Sequence, residues 1–218
     1  CKQKTAYEIY YGLVGSEKGI RDRPLSEGAG GGRDGMNPML TRFPESVRID
    51  GVRYPLNTDF RVGLRIMSAY EDPQLTRFER QVVLCRLLYQ EQPSDFTQAV
   101  REGVRFLDGG EQPRETGGRR LYSFDQDGAY IYSAILQTHG IDLQTVKMHW
   151  WKFRMLFLDL HEDTTFQRMI SLRSRREKGL LTKEEKRLWL DMAELLELRE
   201  ADPERDRART EFEQRMRG

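Results

Sequence analysis

HWWKFRMLFLDL, residues 149–160, sets two adjacent tryptophans, two phenylalanines and two basic side chains in one short run. Such a run stacks on nucleotide bases, enters a membrane surface or fills a core. At about 100° per residue, Trp150 and Trp151 cannot share one seam of a helix. Trp150, Phe153, Leu156, Phe157 and Leu160 form a broad apolar arc, and Trp151, Met155 and Leu158 a narrower one. Two thin polar stripes separate them, Lys152 with Asp159 and Arg154 with His161. A DNA-reading helix needs an open polar face, and a membrane-surface helix a strongly basic one. Two apolar arcs suit a helix held between neighbours. Trp150, Trp151, Phe153, Phe157 and Leu160 are therefore assigned to the core, the alternative being an aromatic patch that anchors a partner.

The bulk composition agrees with a globular reading. The 218 residues suffice for one domain with a real core and an appendage. The 36 Lys and Arg against 35 Asp and Glu leave a net charge of +1, so no overall excess exists to hold a polyanion. The charged fraction of 33% points to much exposed helix surface. Cys1 and Cys85 are the only cysteines, which excludes a disulfide scaffold and makes a reducing compartment the default. Apolar runs fall far short of the roughly 20 residues that span a bilayer, and no signal peptide is visible, so a soluble cytosolic chain is expected.

The opening residues show no sustained period and run into the glycine-rich GAGGGRDG, which reads as linker. KQKTAYEI…LVGSE…IRDR resembles translated sequencing-library adapter, with Lys18 and Gly19 departing from that pattern. Residues 1–35 are read as foreign sequence ahead of a native start at Met36, the alternative being a genuine disordered leader. A single helical domain is expected over 36–199, followed by a charged C-terminal tail over 200–218 that is frayed helix or disorder.

Within the domain, SVRIDGVRYPL signals a hairpin at 46–56. Asp50-Gly51 suits a type I′ turn, pairing Ile49 with Val52 and Val47 with Tyr54, all four on one face. A lone hairpin is marginal in water, so that face must lie on something else. The remainder is helical. Asn57 or Thr58 caps a helix through Phe60, Leu64, Met67 and Ala69. Thr76 with Glu79 opens a second helix through Phe78, Val82, Cys85 and Leu88. Phe96, Val100, Val104 and Leu107 mark a third, stopped by Gly109-Gly110. Ser123 with Gln126 forms a capping box before a fourth, through Tyr130, Ile131, Ala134 and Ile135, ended by Gly140. The aromatic run is the fifth; Phe166, Ile170 and Leu172 lie on a sixth; Thr182 with Glu185 caps a seventh carrying Leu188, Trp189, Met192, Leu195 and Leu196. The predicted class is mainly α, a multi-helix domain of about six or seven helices with one N-terminal β-hairpin.

Little in this pattern carries chemistry. His139, His149 and His161 are the only histidines and form no metal-binding pair. His161-Glu162-Asp163 point apart on a helix, and Asp125 and Asp127 lack the remaining ligands of a calcium loop. Cys85 occupies an apolar helix position without a histidine partner, which reads as core rather than nucleophile. No catalytic, cofactor or metal site is expected, and no enzyme activity. The one nucleic-acid candidate is Arg173, Arg175, Arg176 and Lys178. These lie at a helix C-terminus, where the helix dipole alone explains cations.

MNPMLTRFPESVRIDGVRYPLNTDFRVGLRIM, FLDGG, YSFDQDGAYIYSAILQTHGIDL and HWWKFRMLFLDL, in that order and spacing, resemble the bacteriophage gene-product-fifteen family over about Met36 to Leu198. That family comprises siphophage proteins encoded in the tail-assembly region near the tape-measure gene. The resemblance implies a phage or prophage protein of tail morphogenesis and brings no catalytic residues. The expected role is a non-enzymatic assembly chaperone or accessory factor in the bacterial host cytoplasm. It would bind other phage tail proteins, such as the tape measure, whose apolar seams are exposed before the tube forms. A structural part of the virion tail or connector is the alternative, and a nucleic-acid-binding helical protein the third reading. The hairpin's neighbourhood and Leu188, Trp189, Met192, Leu195 and Leu196 are the expected partner contacts, against ordinary core packing.

Overall fold

A computed structural model describes residues 37–110 and 120–198. The expected leader at 1–35, most of the EQPRETGGRR loop and the charged tail at 200–218 lie outside the described residues. The fold is mainly helical with one hairpin. Among the described residues, strands β1 (Ser46–Ile49) and β2 (Val52–Pro55) precede eight helices. These are α1 (Phe60–Glu71), α2 (Arg77–Leu88), α3 (Phe96–Leu107), α4 (Gly128–His139), α5 (Trp150–Leu158), α6 (Thr165–Glu177), α7 (Lys183–Asp191) and α8 (Ala193–Leu196). The seventh helix expected from the sequence is broken at Met192, which yields the short α8. The chain divides into two compact units, and α1 and α2 each contribute residues to both.

The first unit takes in 37–63, 84–110, Arg120 and 147–159 among its described residues. Its hairpin has the predicted register, Ile49 opposite Val52 and Val47 opposite Tyr54, with positive φ at Asp50 (49°) and Gly51 (79°) as a type I′ turn requires. Ile49 is buried, whereas Val52, beside the turn, is exposed. The hairpin is fixed from outside by Gln98 of α3, which donates to the Asp50 carboxylate at 2.6 Å. The link from β2 to α1 differs from the expected capping. Asn57 donates from its backbone to Leu88 O (2.7 Å) and from its side chain to Leu87 O (2.8 Å), so it satisfies the last carbonyls of α2. Asp59 instead caps α1, accepting from Arg61 N at 2.9 Å.

The HWWKFR and FLDGG segments lock together in this unit. Trp150 Nε1 donates to Leu107 O at 2.9 Å and Trp151 Nε1 donates to Phe106 O at 2.8 Å. Both acceptors lie in the last turn of α3, whose carbonyls have no partner within the helix. Gly109 N donates to Phe106 O (3.0 Å) and Gly110 N to Arg105 O (2.8 Å), a Schellman closure with Gly109 at φ 78°. Each indole thus buries its ring and places its one donor on a carbonyl at the C-terminal end of α3, Phe106 O being shared with Gly109 N. Trp150 is 1% exposed and Trp151 8%. Phe153 and Phe157 are buried beside them, with Phe153 stacked on Phe60 (centroids 5.2 Å apart) and on Trp150 (5.7 Å).

Two features of α5 depart from the helical wheel. Arg154, expected on a polar stripe, is buried over Gly109, where a Cβ would stand 1.8 Å from its Nη1. Met155, expected on the narrow apolar arc, is exposed. The wheel assumed one helix through His161, but α5 ends at Leu158 with Asp159 as its C-cap. Arg154 and His161 therefore share no stripe, and Leu160 is buried off the helix.

Gly63 of α1 packs under the Trp150 ring, and a Cβ there would come within 2.2 Å of its Cε3. Alanine favours helix by about 1 kcal/mol over glycine, but an aromatic ring on this site has no room to yield. Gly63→Ala is expected to destabilise the protein by about 1–3 kcal/mol, read as a lower urea midpoint at unchanged slope.

The second unit takes in 64–83, 121–146 and 160–198. Thr76 and Glu79 exchange the two bonds of a capping box, as do Thr182 and Glu185. The box expected at Ser123 and Gln126 is half formed. Ser123 Oγ accepts from Gln126 N at 3.1 Å, but Ser123 N donates to Asp127 Oδ2 at 3.0 Å and the Gln126 side chain donates to Glu197 O. A turn fills 124–127 and α4 begins at Gly128. Met169, Trp189 and Leu196 form a buried cluster flanked by Tyr130, Leu172, Leu181 and Leu195. Phe78, read as a core position of α2, is exposed.

Candidate interaction surface

The reactive side chains are placed as structure rather than chemistry. Cys85 is buried, and burial pushes its thiol up to about 11, far from a thiolate at neutral pH. His161, Glu162 and Asp163 are all exposed. Among the described residues no group of three or more His, Cys, Asp and Glu could hold a metal ion, and no helix is long and apolar enough to cross a membrane. An open hollow of about 440 Å³ beside the hairpin is lined by Glu45, Ser46, Arg53, Pro55, Leu56, Thr58 and Gln90. Two of its polar side chains are already engaged. Arg53 Nε donates to Ser46 Oγ at 2.7 Å and Gln90 Nε2 to Leu56 O at 2.9 Å.

His149 has a defined structural role. Its Nδ1 accepts from Trp151 N at 3.0 Å, which caps α5 and requires that nitrogen to be unprotonated. The proton therefore sits on Nε2, which donates to Pro44 O at 3.1 Å. Phe43 stacks on the ring at 5.0 Å between centroids. Burial pulls the His149 pKa below its ordinary 6.5, against the opposing pull of the Pro44 carbonyl and Glu45. The unfolded chain then binds the proton more readily than the folded one. Stability from neutral His149 is complete above about pH 6.5 and declines as pH falls below it. Unfolding midpoints compared at about pH 7.5 and about pH 5.5 should show a smaller acid-induced loss in His149→Asn, which retains a capping acceptor but does not titrate.

The basic run of α6 does not form a free cationic face. Arg173, the first nucleic-acid candidate, is buried and pairs bidentately with Asp127, Nη1 to Oδ2 at 2.6 Å and Nη2 to Oδ1 at 3.0 Å. Its remaining donors reach Leu121 O (3.1 Å), Leu195 O (3.1 Å) and Leu196 O (2.7 Å). All five guanidinium N–H groups are thus used. Asp127, one of two aspartates that hinted at a metal loop, is the buried counterion. Arg175 pairs with Glu185 at the start of α7. Arg176 bonds Glu197 Oε1 at 2.7 Å and lies 4.2 Å over the Trp189 ring. Lys178 is exposed at the C-cap of α6. The spacing of the run gave no hint of these partners, because they come from the residues before α4, from α7, from α8 and from Glu197.

The expected partner contacts on the last helices divide. Trp189 and Leu196 are buried against Met169, and Leu195 is half-buried, so these three are packing residues and not surface. Leu188 (42% exposed) and Met192 (37%) remain accessible one helical turn apart, and Leu190 is 76% exposed on the opposite flank. The cause is the break at Met192: α7 turns Trp189 inward, and α8 carries Leu196 back to the same cluster. On a helical wheel Leu188 and Met192 are bordered by Glu184 and Asp191, both exposed, whereas Leu190 lies among Lys183, Lys186 and Arg187.

A family model described as Bacteriophage Gp15 protein matches residues 39–198. The chain belongs to the Bacteriophage Gp15 family. The match spans both compact units and includes the FLDGG and HWWKFRMLFLDL segments that lock together through the two indoles. No curated protein and no solved structure matches the chain significantly. For this Gp15 family member the surface left by the fold is therefore the guide to function: a mixed-charge exterior with apolar side chains exposed on both flanks of α7.

Proposed function

We propose that this phage protein acts in tail morphogenesis without catalysing a reaction, as an assembly chaperone or accessory factor for other phage tail proteins. The observation that carries the reading is α7, where Leu188, Leu190 and Met192 stand exposed between charged side chains. An amphipathic partner helix, such as those of a tape-measure protein, is the kind of ligand that covers such side chains. The engagement of Arg173, Arg175 and Arg176 within the protein weighs against a phosphate-binding role for that run. Burial of Cys85, which holds its thiol protonated, weighs against that residue acting as a nucleophile. Host cytoplasm is the proposed location, where tail proteins meet before assembly.

Co-expression with the tape-measure product of the same phage tests this. The expected result is that the tape measure becomes soluble and co-purifies, and that Leu188→Asp with Leu190→Asp abolishes co-purification while leaving the circular dichroism spectrum unchanged. A tape measure equally insoluble with and without this protein would overturn the proposal. Mass spectrometry of purified particles then separates a chaperone, absent from the virion, from a structural tail part, present in it.

A further inference from the structure

We infer that Arg48 and Arg53 form a clamp on the solvent face of the hairpin that takes carboxylate side chains of a partner protein. The two arginines are direct partners across β1 and β2. Hydrogen-bonded and open pairs alternate along an antiparallel ladder. The turn closes on Ile49 and Val52, and Leu56 N donates to Glu45 O at 2.9 Å, so Arg48 and Arg53 fall on an open pair, where side chains stand closest. Both are exposed, on the face opposite buried Ile49. Like charges set directly across a sheet cost stability. Charge also blunts the edge of a short strand, but one arginine serves that end without a second facing it. The fold does not offset the repulsion. Among the described residues neither guanidinium has an ion partner, and the side-chain bond between Arg53 Nε and Ser46 Oγ at 2.7 Å is the one they make. Asp50, the acid within the hairpin, is held instead by Gln98.

The platform under the pair is pinned at both ends. Gln98 holds the turn, and Gln90 donates from its backbone to Pro55 O at 3.1 Å and from its side chain to Leu56 O at 2.9 Å. The bond to Ser46 orients Arg53 through Nε and leaves both Nη groups to donate outward. Arg53 also walls the open hollow of about 440 Å³, together with Ser46 and Pro55 from the same face of the hairpin. A guanidinium fork matches a carboxylate or a phosphate bidentately. The surroundings choose between them. Among the described lining residues Arg53 is the one cation, and Glu45 stands on the same wall, so the successive phosphates of a nucleic acid find no cationic track to follow. One or two acidic side chains on an otherwise neutral protein segment engage the pair and need no more. The clamp belongs to the first unit and does not depend on the α7 surface of the proposed function.

Full-length protein carrying isotope-labelled arginine tests the clamp by NMR, read at the Nε–Hε resonances of Arg48 and Arg53. The probe is a hexaglutamate peptide at low ionic strength, compared with inorganic phosphate and with a single-stranded oligonucleotide. The expected result is that the peptide shifts both resonances saturably. Arg48→Gln with Arg53→Gln should weaken its binding about five- to tenfold, the loss of two exposed charge-assisted contacts. Arg48→Glu should end binding at the hairpin and hold or raise the urea midpoint, because it turns a repulsive cross-strand pair into an attractive one. Lost binding then cannot come from unfolding. Peptide binding that leaves both resonances unmoved, or that survives Arg48→Glu, would overturn the inference, as would no binding at all. Phosphate or the oligonucleotide engaging the pair as tightly as the peptide would overturn the assignment to protein carboxylates. Because no tape measure is present, each of these failures leaves the proposed function standing, to be judged by co-purification.

Discussion

Arg173→Met is expected to destabilise the protein by about 3–5 kcal/mol, the cost of breaking a buried ion pair from one side. The guanidinium donates to Asp127 and to three backbone carbonyls, those of Leu121, Leu195 and Leu196. Methionine fills much of the volume but leaves the Asp127 carboxylate buried without its cation and three acceptors without donors. Asp127→Asn should cost a similar amount from the other side, since the arginine stays charged in an apolar setting. The double substitution Arg173→Met with Asp127→Leu should recover part of the loss. Recovery stays incomplete because the carbonyls, and the Ser123 N–H that bonds Asp127, remain unserved. Arg176→Gln, three residues on, removes an exposed pair and should change stability by less than about 1 kcal/mol. Equal, small effects of Arg173→Met and Arg176→Gln in urea unfolding would show that the buried network does not hold the second unit together.

Trp150→Ala is the second large effect, a loss of about 3–5 kcal/mol. Trp150 is nearly inaccessible, stacks on Phe153, covers Gly63 and donates to Leu107 O. Trp150→Phe isolates the polar part: it keeps a ring but removes the indole donation to Leu107 O, at about 1 kcal/mol. Gly63→Ala in the Trp150→Phe background should cost less than in the wild type, because the smaller ring relieves the Cβ contact. Far-UV circular dichroism during urea titration measures all three variants without relying on the indole. A strictly additive pair would mean that Gly63 and Trp150 do not contact as described.

What could be read before the structure follows from the range of each interaction. The I′ turn at Asp50-Gly51, the capping boxes at Thr76 and Thr182 and the stop at Gly109-Gly110 are local, decided by residues within four positions of each other, and the structure contains all of them. The interior placement of the adjacent tryptophans was also legible, because two apolar arcs require neighbours on more than one side of a helix. Failures came wherever a side chain had a choice among partners. Asn57, Thr58 and Asp59 are all good caps, and the choice of Asp59 depends on Asn57 being held by the end of α2. Arg154 is buried because it lies between the two buried tryptophans of α5 and over Gly109, a contact that comes from the end of α3, whereas Met155 is left exposed.

The candidate site was less legible than the fold for the same reason. Arg173, Arg175, Arg176 and Lys178 look alike as letters, yet their environments run from a fully bonded interior to open solvent. Leu188, Trp189, Met192, Leu195 and Leu196 look like one amphipathic stripe, yet a break at Met192 sends Trp189 and Leu196 inward and leaves Leu188 exposed.

By itself the sequence determined the helical class, the hairpin and its register, most helix ends and the membership of the two indoles in the interior, because periodicity and turn chemistry act between near neighbours. Only the tertiary structure decided which cation is spent inside, pairing Arg173 with Asp127 across 46 positions, and which apolar side chains stay outside on α7. Those outcomes depend on partners brought together by folding, and nothing in the spacing of either segment encodes them.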